Sequence, residues 1–506
     1  MSNSNVTIAK NTLFLSLRMV FILVVSLYTS RVFLNALGVV DYGISNIVAG
    51  FVSMFSFLNT SLSNAIQRFY NSELGKNGAI GVTKVYNVSL RIQTIIAICV
   101  FILLETIGLW YMYEKMVIPA ERFNTAFWIY HFSVISAVIV IMQSPYVAAV
   151  MAHEKMQTYA LISSLDVVFK LIFALILPYI NSDRLLMYGA FFLIITILNF
   201  VLYYIYSKRN FRDLYLVRNF DKGMVKEMVS FSGWNFFGTF ACVAREQGLN
   251  LILNLFFGPI VNAARGIAYQ VSGALQSFVS NLSLAAKPQM VQSFATGDSN
   301  RTINLMYVMS KLSFIFLYIL SVPVLLNIDY VLHLWLGDVV PKHSANFIVL
   351  VILTNFFNNL NAPLSNVVYA TGKMKKYELT FSIINLLIIP IAFIALKLGA
   401  MPEAAFIVYL IMSIFVQIGC LLVVRTIVTL SLRQYVKKIL LPIIAVVVTT
   451  FPLIYGIHIV LPCSVVSIVA EYVIMTIFAT IAFYFLVLDS TEKSFVKNIL
   501  QKILKK

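Results

Sequence analysis

The chain has 506 residues, of which 60% are apolar and only 11% charged, and its mean hydropathy is +0.89; soluble domains run near roughly 45–50% apolar and 25% charged. Thirty-seven basic and 20 acidic side chains are too few to cover a water-facing surface of this size, so a soluble enzyme and a disordered chain are both excluded and an all-α polytopic membrane protein is expected. The net charge of +17 follows loops rather than one face, which argues against nucleic acid, and the four scattered cysteines, Cys99, Cys242, Cys420 and Cys463, suggest neither a disulfide framework nor a zinc site.

A bilayer core of about 30 Å takes about 20 apolar residues per helix. Fourteen stretches meet that length, at 12–36, 43–68, 84–111, 123–149, 157–180, 185–207, 226–257, 261–286, 302–326, 343–369, 378–398, 403–428, 440–461 and 465–488. The first is too long for a signal h-region and has no A-x-A site behind it, so it is expected to stay as a span. None shows the period-2 alternation of a membrane barrel. If the N-terminus is inside, the cytoplasmic connections, termini and adjoining turns hold 26 of the 37 basic residues, and the outer connections hold five: Lys115, Arg122, Arg184, Lys342 and Lys397. That asymmetry places both termini in the cytoplasm. The inner loop with Lys208, Arg209, Arg212, Arg218, Lys222 and Lys226 reads as an anchor on anionic membrane lipids. The tail at 490–506 reads as an amphipathic helix on the inner leaflet.

The chain repeats itself. PYVAAVMAHEKMQTY at 145–159 and PLSNVVYATGKMKKY at 363–377 share Pro, Val, Ala, Lys, Met and Tyr without a gap, at an offset of 218. Each unit holds six spans, so the copies share an orientation and are related by an axis along the membrane normal. The expected architecture is a lobe at 1–207, a basic linker at 208–225, a second lobe at 226–428, an appended helix pair at 429–489 and the tail. Polarity then picks the cavity-lining helices, because polar groups facing lipid are costly. Nine polar residues fall in 42–65, including Ser45, Asn46, Ser53 and Asn59, and nine in 260–283, including Asn262, Arg265 and Gln276. Span 7 continues the pattern through Arg245, Glu246, Gln247, Asn250 and Asn254. The competing reading is that small polar residues merely join helices.

Together these features resemble the polysaccharide-transport and O-antigen flippase branch of the multidrug/oligosaccharidyl-lipid/polysaccharide exporter superfamily, along the whole chain. The resemblance rests on the duplicated lobes, on Arg68–Phe69–Tyr70 followed by Leu74–Gly75–Lys76, on the Pro-to-Lys-Met repeat, and on Leu334–Trp335–Leu336–Gly337. It implies two pseudo-symmetric six-helix bundles plus a helix pair in the bacterial inner membrane. It also implies a substrate, an undecaprenyl-pyrophosphate-linked oligosaccharide carried to the outer leaflet, and a polysaccharide polymerase as a neighbour in the pathway. In related flippases spans 1, 7 and 8 line the cavity, which makes Arg18, Arg245 and Arg265 the phosphate candidates.

The chemistry suits that role, since arginine stays charged and its planar fork grips phosphate oxygens two at a time. Arg18 and Arg265 also stand close enough to span ends to snorkel. Lys311, ten residues into its span with no carboxylate nearby in sequence, is expected to meet another helix or the substrate. Glu246 is the leading carboxylate for H+ or Na+ coupling, or else a charge partner of Arg245. Asp166 and Lys170, one turn apart, suit a self-neutralising pair. Arg31, near the outer end of span 1, is a lobe-contact or gate residue. Pro145 and Pro363 mark expected bending points. No P-loop or G-x-G-x-x-G segment occurs and the histidines lack ligand spacing, so neither cofactor nor metal is expected. A cation-coupled drug exporter of the same fold and a membrane glycosyltransferase or polymerase are the alternatives.

Overall fold

The computed structural model describes residues 3–153, 155–217, 221–488 and 493, and the regular structure among them is helical. In chain order the helices are α1 (Asn3–Ser53), α2 (Ser56–Leu103), α3 (Leu109–Glu114), α4 (Phe123–Ala152), α5 (Met156–Ile176), α6 (Arg184–Asn210), α7 (Lys222–Phe257) and α8 (Pro259–Ala295). They continue as α9 (Ser299–Leu326), α10 (Ile328–Leu336), α11 (Ser344–Thr371), α12 (Met374–Lys397), α13 (Glu403–Ile427), α14 (Leu432–Tyr435), α15 (Leu441–Val460) and α16 (Val465–Ala482). The expected tail helix at 490–506 lies outside the described residues, Lys493 excepted.

Eleven helical runs among the described residues are long and apolar enough to cross a bilayer. Of the fourteen expected spans, three have no run of their own: 43–68, 226–257 and 261–286. Helices form there nonetheless, but these are the stretches whose Asn, Ser, Gln and Arg content lowers their hydropathy. The boundaries of 43–68 also change. α1 continues through the expected first connection with a single break at Gly38 (φ 78°), and a turn at 54–55 then separates it from α2. A second glycine break at Gly78 (φ 56°) divides α2, since glycine adopts the left-handed region at little steric cost. Pro145 and Pro363 lie inside α4 and α11, and both helices run on past them.

The helices gather into two compact units. The first holds Met1–Ile267, Trp335–Ser344 and Asn385–Ala405, and the second Ala268–Leu334, Ala345–Ile384 and Phe406–Lys506. In the first unit, one core gathers Ile44, Ile47, Val48, Phe51, Met112 and Tyr130, and another Tyr70, Val82, Tyr86, Tyr146 and Tyr203. The π-turn at Leu104–Gly108 shifts the backbone ladder, and the Tyr130 hydroxyl donates to the Leu104 carbonyl at 2.6 Å. The second unit is built on Met306, Tyr307, Leu364, Tyr377, Val424 and Tyr435.

Charges brace one end of the first unit. Arg122 donates to Asp41 at 2.8 Å and to Asp183 at 3.0 and 3.2 Å, while Asp183 also accepts from Thr125 at 2.6 Å and caps α6 at the Leu185 amide. Burial pulls the Asp183 carboxyl up, but the bonds from Thr125, Arg122 and the Leu186 amide outweigh it and hold the group below its ordinary 3.8. A depressed carboxylate stabilises the fold above its unfolded pKa and loses that contribution as pH falls through the folded value. Asp183→Asn is therefore expected to lower the thermal midpoint at neutral pH, with the gap to the wild type closing as the buffer is taken below pH 3.8. A gap that persists unchanged in acid counts against this assignment.

The basic inner loop is more than a charged tether. Thr83, Asn87 and Arg91, spaced one turn apart on α2, donate to the carbonyls of Asp213 at 2.6 Å, Tyr215 at 2.8 Å and Val217 at 3.2 Å, and the Val217 amide returns a bond to Asn87 at 2.7 Å. Alternate carbonyls of an extended segment thus face one stripe of a helix, which straps 213–217 to α2. Arg209 and Arg212 remain exposed.

Candidate functional site

The polar stripe of α7 separates into two parts. Toward its C-terminal end asparagines lock it to its neighbours: Asn262 of α8 donates to the Asn250 carbonyl and side chain at 2.8 Å each, and Asn254 donates to Asn262 at 3.1 Å. Asn254 also clasps the Val117 backbone, accepting from its amide at 2.9 Å and donating to its carbonyl at 3.2 Å. Asn250, Asn254 and Asn262 are all buried. These three asparagines join α7 to α8 and to the connection at Val117. Glycines permit the close approach: a Cβ on Gly43 would lie 1.9 Å from the Pro259 carbonyl oxygen, and one on Gly266 would lie 2.7 Å from Asn46.

One turn earlier the stripe becomes charged. Arg245 is buried and donates to the side-chain oxygen of Asn385 on α12 and to Glu246 at 3.1 Å, while the Glu246 side chain itself remains 41% exposed. Arg265, also buried, comes from α8 and donates to the backbone carbonyl of Glu246 at 2.6 Å. Two of the expected phosphate candidates therefore converge on one residue, one on its carboxylate and the other on its carbonyl. Neither is a bare cation. The site is an arginine pair in which Arg245 meets an internal carboxylate and Arg265 the backbone of the same residue, and the carboxylate side chain is the exposed member.

The other expected site residues lie elsewhere. Arg18 is in α1 and its side chain lies outside the described residues. Lys311 is buried in the second unit and donates to the Val487 carbonyl at 3.3 Å. Lys170 and Asp166 meet at 2.7 Å, and Asn199 takes the second carboxylate oxygen at 2.7 Å, so that pair is neutralised and hydrogen-bonded in place. Arg31 lines a cavity of about 490 Å³ with Tyr28, Asn35 and Arg184. Beside it, Trp335 of the Leu-Trp-Leu-Gly segment donates its indole N–H to the Leu27 carbonyl at 2.8 Å, and Asn35 donates to the Leu336 carbonyl at 3.3 Å.

Sequence reasoning missed Asn385, which carries no local signal and lies 140 residues from the arginine it holds. It also left Glu471 unassigned; that carboxylate is buried in the second unit between Asn327 at 2.6 Å and His458 at 3.1 Å. His131 with Glu105 and His343 with Glu403 form further pairs at 3.0 and 2.6 Å. Among the described residues no three His, Cys, Asp or Glu side chains gather as a metal site would require.

The chain matches no family model and no curated protein sequence. Solved structures do match. The lipid II flippase MurJ in an inward closed conformation superposes with a TM-score of 0.67 at 15% identity, covering 93% of this chain and 99% of that one. An inward-facing multidrug resistance MATE family transporter of the MOP superfamily gives 0.59 at 15% identity over 82% and 95%, and a eukaryotic MATE transporter 0.58 at 14% over 83% and 96%. At these identities the likeness is one of fold, and the protein is a multi-pass membrane protein with the fold that these transporters share.

Proposed function

We propose that the protein is a flippase for a lipid-linked oligosaccharide, carrying an undecaprenyl-pyrophosphate-linked repeat unit of an O-antigen, capsule or exopolysaccharide from the inner to the outer leaflet of a bacterial cytoplasmic membrane. It works by alternating access between its two duplicated lobes, 1–207 and 226–428, with both termini in the cytoplasm. The observation that carries this reading is the convergence of Arg245 and Arg265 on Glu246. A lipid pyrophosphate is a dianion, and a fixed guanidinium answers its charge and planar oxygen geometry together.

The Glu246 carboxylate gives the site a means of exchange. It neutralises Arg245 while no substrate is bound, and an arriving phosphate displaces it toward the exposed side on which it already lies. The buried guanidinium is thus never left without an anion, a state that would cost several kcal/mol. Release of the substrate restores the internal pair. Glu246 is also the carboxylate through which a proton or sodium gradient would act, because its side chain is 41% exposed against 21% for Asp166.

The test is a two-leaflet accessibility assay in proteoliposomes, using a labelled polyprenyl-pyrophosphate oligosaccharide beside a fluorescent lipophilic cation. The expected result is that the glycolipid reaches the outer leaflet and the cation stays. Export of the cation with a stationary glycolipid would transfer the assignment to a drug exporter of the same fold.

A further inference from the structure

A second basic feature of the first unit lies away from the arginine pair. Arg68, Ser72 and Lys76 follow one another at one-turn intervals on α2, and across from them Lys226 and Ser230 do the same on α7. Together with Phe69 and Glu227 they line a cleft of about 520 Å³, within the size range of small-molecule sites. Tyr70 and Met228, buried in one common core, fix the two helices side by side and turn the charged faces into the gap. Three cations stand against one carboxylate, all four exposed, and two serine hydroxyls lie between them. The lining side chains carry three positive charges against one negative, so the charge of the cleft favours an anionic ligand. By the lysine and arginine bias this end of the helices faces the cytoplasm.

We infer that the α2–α7 cleft is a loading site for a lipid-borne diphosphate, engaged by Arg68, Lys76 and Lys226 at the cytoplasmic surface before the headgroup reaches Arg245. The inference rests on the flippase reading and adds a separate site to it. The cations supply charge and the serines supply donors, so the cleft recognises the diphosphate and leaves the sugar free. Being exposed, these charges act through long-range attraction, which salt screens, and they govern capture more than the transport step.

The test uses the full chain in proteoliposomes, following glycolipid translocation against glycolipid concentration, with inorganic pyrophosphate binding in detergent as a second readout. For the double variant Lys76→Gln/Lys226→Gln, the half-saturating glycolipid concentration is expected to rise about tenfold while the maximal rate holds, and pyrophosphate binding weakens in parallel. Glu227→Gln is expected to shift both quantities the other way by about threefold, an improvement that a misfolded protein does not show. An anionic phospholipid headgroup carries related chemistry, so the assay is run in phosphatidylglycerol and in phosphatidylcholine vesicles. The effect of the double variant persists in both if the diphosphate is the ligand, and its disappearance in phosphatidylcholine overturns the assignment. An unchanged half-saturation overturns it too, and leaves the flippase reading standing as long as the wild type still moves the glycolipid; a wild type that moves none defeats the flippase reading itself.

Discussion

Arg245→Met is expected to reduce glycolipid translocation at least about 30-fold while the protein accumulates and melts like the wild type. Methionine fills the volume of the arginine stem but holds no anion, and losing a desolvated charge-assisted contact costs about 2 kcal/mol or more, equivalent to about that factor. The fold is expected to survive because the Glu246 side chain is 41% exposed and is not enclosed by the protein once its partner is gone. Asn385, which accepts from the guanidinium, loses that donor. Arg245→Lys is expected to fall between the two, since it keeps the charge and loses the fork. Equal losses of transport and of folded protein in Arg245→Met would instead assign the arginine to the scaffold.

Gly43→Ala is expected to be the most damaging single-methyl change in the chain. The new Cβ would lie 1.9 Å from the Pro259 carbonyl oxygen and 2.6 Å from its carbon, both backbone atoms at the start of α8 that no rotamer change can move aside. Overpacking of this kind typically costs about 1–3 kcal/mol, and the backbone contact puts this case at about 3 kcal/mol. Gly273→Ala is the matched control. It lies in the same helix type with nothing within 4 Å of the added methyl, and is expected to be neutral or stabilising by roughly 0.5 kcal/mol through the better helix propensity of alanine. The comparison is read from thermal midpoints of the two variants in one detergent. Equal midpoints would mean that α1 and α8 separate freely at this contact.

Much of the fold is legible in the sequence because the bilayer imposes a single length scale and a single polarity on each crossing. Two of the three expected spans without an apolar run of their own, 226–257 and 261–286, carry Asn250, Asn254 and Asn262, which join α7 and α8 by amide pairs. Asp166 and Lys170 were legible as a pair because one helical turn separates them. Lys311 was not, because its partner is a carbonyl 176 residues away, and carbonyls leave no mark in composition. The same holds for Glu471, whose partners come from a helix end and from the preceding helix. Glu246 was visible as the neighbour of Arg245; that it binds one arginine by its side chain and another by its backbone depends on how α7 and α8 approach, and the glycines permitting that approach are read only once their contacts are known. The α2–α7 cleft was present as an i, i+4, i+8 pattern in Arg68, Ser72 and Lys76, but its second wall is more than a hundred residues further along the chain.

The claim at the centre of this account is that Glu246 occupies the substrate's place on Arg245. It is tested most directly by equilibrium binding of the labelled polyprenyl-pyrophosphate oligosaccharide to Glu246→Gln and Arg245→Met beside the wild type. Removing the internal competitor is predicted to tighten binding to Glu246→Gln about tenfold or more, as expected for a freed charge-assisted hydrogen bond, and Arg245→Met is predicted to bind weakly. A Glu246→Gln protein that binds no more tightly than the wild type would contradict it.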